Sequence, residues 1–133
     1  MHESGKHARK LNTNMETLKP IYLSRQLNIT TSAANMYECA GSITIPPNCF
    51  FAITAKGMYN NAVCNGVVMA NSDVTIRNAL AAHERTSVNE YYPSCTYASH
   101  SGSSGQTIYL WGCWQGAGSK NSVIVTGFYI KTA

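Results

Sequence analysis

The sequence predicts an all-β domain: a jelly-roll-like, two-sheet sandwich of about eight antiparallel strands, preceded by a short N-terminal helix or leader. Three observations lead there. After Pro20 the chain breaks into short runs rich in β-branched and aromatic residues. The breaks carry Gly, Asn, Ser and Pro, whose backbone chemistry favours turns. No helical stretch separates the runs, and that spacing points to a sandwich rather than to crossover units.

Residues 1–19 differ from the rest. Leu11, Met15 and Leu18 are spaced four and three apart, the seam of a short coiled coil. A polar leader with scattered apolar residues fits the same text, and an isolated helix this short is marginal in water. Pro20 ends the segment. The following residues, 20–133, form one domain, long enough to bury a core and too short for two. Its expected strands are Ile21–Thr30, Gly41–Ile45, Cys49–Lys56, Val63–Ala70, Val74–Leu80, Tyr91–Ala98, Gln106–Trp114 and Ser122–Lys131. Turns fall at Pro46-Pro47-Asn48, Asn60-Asn61, Asn71-Ser72-Asp73, Ser101–Gly105 and Gly116–Asn121. Ala79–Glu84 is compatible with a helical turn as well.

Three runs are apolar on both faces. Phe50 and Ala52 oppose Phe51 and Ile53; Tyr109, Trp111 and Cys113 oppose Ile108, Leu110 and Trp114; Ile124, Phe128 and Ile130 oppose Val123, Val125 and Tyr129. A half-solvated antiparallel strand alternates apolar with polar, and these do not. A sandwich covers one face of each sheet. A second copy of the chain, or loops folded across, must cover the other; each large side chain left bare forgoes roughly 1.5–3 kcal/mol of burial. The expected subunit interface is Phe50, Tyr109, Trp111, Phe128 and Ile130.

Composition narrows the function. Charged residues make up 12%, against about 25% in typical domains. The formal charge is +4, and four of the ten cations, Lys6, Arg9, Lys10 and Lys19, crowd into the leader; beyond Pro20 six cations and four anions nearly cancel. The folded body therefore lacks the basic stripe of a nucleic-acid binder. No run has the length to cross a bilayer, and no secretory signal is expected in the polar first twenty residues. The sequon Asn28-Ile29-Thr30 reads as accidental. Five cysteines lack C-x-x-C spacing and read as reduced, mostly buried thiols, consistent with assembly in a reducing cytoplasm.

Catalytic chemistry has little material. Asp73 is the only aspartate, and Glu84 and Glu90 lie in an expected loop rather than across a cleft. His83 and His100 sit in no nucleophile context, and no His/Cys/Glu spacing fixes three metal ligands. Gly102-Ser103-Ser104-Gly105 lacks the Lys and helix of a phosphate loop. No enzyme activity, cofactor or metal is expected. Recognition has more: Asn60, Asn61, Tyr91, Tyr92, Tyr97 and His100 combine amides with aromatic faces, a mixture suited to sugars. Loop residues carry the contact on this reading, and the mid-strand Trp111 and Trp114 belong to packing.

The phrases "GSITIPPNCFFAITAKGMY" and "TIYLWGCWQGAGSKNSVIVTGFYIKTA", behind the leader and first strand, resemble the C-terminal domains of phage and prophage tail-fibre and minor tail proteins. Those are similar to the trimeric jelly roll of the tumour-necrosis-factor and complement type. The resemblance covers about residues 20–133 and is poorest from Val74 to Ser104. It implies a homotrimer at a fibre tip, part of the virion and assembled in the bacterial cytoplasm, with loops turned to a bacterial cell-surface glycan or protein. A capping module without host contact, or a secreted lectin-like module, are the alternatives.

Overall fold

A computed structural model describes residues 18–132, so Leu11 and Met15 of the leader lie outside the described residues. Eight strands follow: β1 (Ile21–Thr30), β2 (Tyr37–Ile45), β3 (Cys49–Gly57), β4 (Cys64–Ala70), β5 (Ala81–Glu84), β6 (Ser94–His100), β7 (Gln106–Trp114) and β8 (Lys120–Lys131). All pairings are antiparallel. The chain behaves as one long hairpin, pairing β1 with β8, β2 with β7, β3 with β6 and β4 with β5. Rolling that hairpin adds the pairs β3–β8 and β4–β7, giving two four-stranded sheets, β1-β8-β3-β6 and β2-β7-β4-β5. This is an eight-stranded jelly roll.

The two-residue alternation sends one face of each strand inward. Phe51, Ile53 and Ala55 of β3, with Val123 and Val125 of β8, meet Ile43 and Ile45 of β2, Val67 and Met69 of β4, and Ile108, Leu110 and Trp114 of β7. Close approach at two points requires glycine. A Cβ on Gly112 would lie 2.3 Å from the Trp114 ring, and one on Gly127 would lie 2.2 Å from the Ala52 carbonyl oxygen. The second contact is backbone, which cannot swing aside. Gly127→Ala is therefore expected to lower stability by about 1–3 kcal/mol, read as a lower urea midpoint at unchanged slope.

Two expected strands are placed differently. Val74–Leu80 is not a strand. Ser72 Oγ accepts from Val74 N–H at 3.1 Å, Thr75 Oγ1 accepts from Arg77 N–H at 3.1 Å, and Asn78 has φ 61°. Local hydroxyl-to-backbone bonds and a left-handed Asn thus replace ladder pairing. The strand forms at Ala81–Glu84 instead, within the stretch that was also compatible with a helical turn. Tyr91 and Tyr92 lie outside β6, because Pro93 has no N–H for a ladder and its carbonyl instead accepts from Gly57 N–H at 2.9 Å.

Candidate functional site

The outward faces of the two sheets have different fates. On sheet β2-β7-β4-β5, Trp111, Val68 and Ala70 form a second apolar cluster with Tyr37, Cys39, Tyr109 and Ile76. Segment 71–80 folds across it: Trp111 Nε1–H donates to the Ser72 carbonyl at 2.9 Å, and Trp111 is 8% exposed. This segment covers the Trp111 part of the face, and Tyr37 and Tyr109 stay half-buried beside it. Trp111 and Tyr109 are thereby separated from the other three expected interface residues, and the five do not form one surface.

Phe50, Phe128 and Ile130 share the outward face of sheet β1-β8-β3-β6. Register sets Ile130, Phe50 and His100 side by side, and in the next row Tyr22, Phe128, Ala52 and Ala98. Phe50 is 58% exposed, Phe128 36% and Tyr22 80%. The third row is Ser24, Thr126, Thr54 and Thr96, where the Thr54 and Thr96 hydroxyls pair at 3.0 Å. An aromatic band therefore lies beside a band of neutral hydroxyls. Between Phe50, Phe128, Ala98 and His100 lies a shallow hollow of about 410 Å³.

His100 belongs to this apolar face rather than to a ligand loop. Its ring meets Phe50 edge-on at 4.9 Å. Gly102 N–H donates to Nδ1 at 3.0 Å, so the ring hydrogen sits on Nε2, 3.1 Å from Thr132 Oγ1. Tyr97 is not on a free surface. It shares the inward side of β6 with Cys95, and its ring packs 5.7 Å from Phe51.

Asn60, Asn61, Tyr91 and Tyr92 lie at the other end of the sandwich from His100, in the loops after β3 and before β6. Asn60 Nδ2 donates to Ser122 Oγ at 2.9 Å and Asn61 Nδ2 to the Lys120 carbonyl at 2.8 Å, which fastens their loop to the start of β8. Asn28, Thr30, Lys120 and Asn121 join them around a hollow of about 450 Å³. Tyr59 stands edge-on to Tyr91 at 6.0 Å, both half-exposed. Sequence reading missed Asn28, Lys120 and Asn121. The available signal was the recurrence of Asn at run ends, and only strand pairing shows which ends coincide.

His83 hydrogen-bonds Glu90, while Thr86 N–H donates to the other Glu90 oxygen at 3.1 Å; the Thr86 bond first, then His83, holds that carboxyl below its ordinary range. All five cysteines are free thiols, four of them buried. Burial pushes Cys64 and Cys95 up to about 11, and burial with the nearby Glu84 charge pushes Tyr37 up to about 12. A thiol at that level is about one part in a thousand thiolate at pH 8. Iodoacetamide at pH 8 is therefore expected to label the half-buried Cys39 first and to spare Cys64 and Cys95 until denaturant is added. Peptide mass spectrometry checks the order.

No protein-family model matches the sequence, and no curated protein matches it. Among solved structures the chain is similar to one titled as the crystal structure of the infectious bursal disease virus VP2 subviral particle, at 12% identity and a TM-score of 0.38. The match covers 84% of this chain and 32% of that one, so the chain spans about a third of the viral protein's length.

Proposed function

We propose that this chain is a non-catalytic tip domain of a phage or prophage tail fibre, which assembles as a homotrimer and binds a bacterial surface glycan. The observation that supports the reading is the outward face of sheet β1-β8-β3-β6, which the other described residues leave uncovered, with Tyr22, Phe50 and Phe128 exposed together. Contiguous apolar patches of this kind are uncommon on soluble monomers. On the other sheet, segment 71–80 already lies over the Trp111 cluster.

The chemistry of the face favours a copy of itself. Its three leading rows hold aromatics, small side chains and Ser or Thr hydroxyls, and Lys56 enters only in the fourth. Three rows without a formally charged carboxylate, Lys or Arg do not select an oppositely charged partner. Hydroxyls, each donor and acceptor, satisfy one another across a symmetric contact. Trimerisation round this sheet leaves the Asn60 end free to face a receptor. Light scattering tests the assembly: three times the 14.5 kDa chain mass is expected, and a strict monomer at micromolar concentration overturns it.

A further inference from the structure

Resting on the proposed glycan-binding role, we infer that the end hollow lined by Asn28, Thr30, Asn60, Asn61, Lys120 and Asn121 is the receptor site, and that its ligand is a sugar bearing a carboxylate. At about 450 Å³ the hollow has room for one or two sugar rings.

Its polar groups are already oriented. Asn60 and Asn61 each donate one amide hydrogen, to Ser122 Oγ and the Lys120 carbonyl at 2.9 and 2.8 Å, and this sets the orientation of their carboxamides. Asn28 does the opposite. Its Oδ1 accepts from Gln26 Nε2 at 2.9 Å, which fixes its NH₂ as a donor. Carboxamides that offer both acceptors and donors around one hollow suit sugar hydroxyls, which act as both. Asn121 adds a second, independent sign. It lines the hollow, is 2% exposed, and its Oδ1 is a buried acceptor with no hydrogen-bond partner among the described residues.

Charge supplies the class of sugar. The lining contains one ammonium, Lys120, and no carboxylate. The sole ion pair among the described residues is His83 with Glu90, so none of their carboxylates pairs with the exposed Lys120 side chain. Its backbone carbonyl holds Asn61, which places the residue without using its side chain. An exposed ammonium beside hydrogen-bonded amides recognises hydroxyls and one negative charge. Tyr59, next to Asn60, and its edge-on neighbour Tyr91 offer apolar rings at the same end for the CH face of the sugar.

The test is binding of the full chain to an array of oligosaccharides ending in N-acetylneuraminic or glucuronic acid, with lactose and cellobiose as neutral probes. The strongest acidic binder is then titrated against wild type, Lys120→Gln, Asn61→Ala and the remote control Arg77→Gln. Expected are retention of acidic sugars, a loss of about tenfold for Lys120→Gln, a comparable loss for Asn61→Ala, and no change for Arg77→Gln, with equal melting curves. Acidic binding indifferent to Lys120→Gln and Asn61→Ala overturns the site while leaving glycan binding intact. Capture of neutral sugars alone overturns the ligand class. No sugar bound by a chain that still runs at threefold mass overturns both this inference and the receptor role, and leaves a capping module.

Discussion

Trp114→Ala is expected to remove about 3–5 kcal/mol of stability, the largest loss from any single core substitution in this chain. Trp114 is fully buried, and it is the largest such side chain. Its ring lies over Gly112, where even a methyl group would stand 2.3 Å away, so the cavity left by truncation has no neighbouring side chain to relax into it from that side. The indole N–H also donates to the Met58 carbonyl at 3.0 Å, and removing it strands that acceptor inside. Domains of this size hold only about 5–15 kcal/mol in total. Urea unfolding followed by tyrosine fluorescence and circular dichroism measures the change. A midpoint within error of wild type would show that this end of the core is not packed as described.

The second large effect concerns assembly. Phe50→Asp combined with Phe128→Asp is expected to convert a trimer into a 14.5 kDa monomer while leaving each subunit folded. The two side chains sit in adjacent rows across β3 and β8, each on the outward side, with core residues Phe51 and Val125 on the opposite side of the same strands. Both are already exposed in the single chain, so a carboxylate there costs the subunit little. Across a symmetric contact the same carboxylates meet copies of themselves in an apolar seam, where burial and like-charge repulsion both oppose association. Unchanged far-ultraviolet dichroism alongside a threefold fall in scattering mass is the expected pair of readings. A double variant that keeps the wild-type mass would move the interface elsewhere.

The strand text was legible because alternation is a local property. β1 and β7 have the bounds expected from sequence, and β3, β4 and β8 differ only at their ends. Segment 74–80 misled because Val74, Thr75 and Ile76 have strand propensity, yet Ser72 and Thr75 bond their own backbone and Asn78 turns left-handed. Propensity there lost to turn chemistry that one residue type at a time does not reveal. The site residues divide in the same way. Asn60 and Asn61 stood out as an exposed Asn pair in a turn, and they lie in the end hollow. Tyr97 looked like its neighbours Tyr91 and Tyr92 in composition, and only the two-residue phase set by Cys95 turns it inward.

The amino-acid order determined that the chain is all-β, where its runs and turns fall, and that three strands carry apolar side chains on both sides. It did not determine what covers those second sides. Trp111 and Phe50 look alike in sequence, each an aromatic opposite a core residue. Segment 71–80 closes over Trp111, whereas among the described residues Phe50 meets the His100 ring edge-on and remains 58% exposed. That difference depends on which distant segment crosses which sheet, and it arises only when pairings such as β1 with β8 and β4 with β7 bring the ends of the chain together. Periodicity is written in neighbouring residues, whereas coverage is a long-range property of the rolled hairpin.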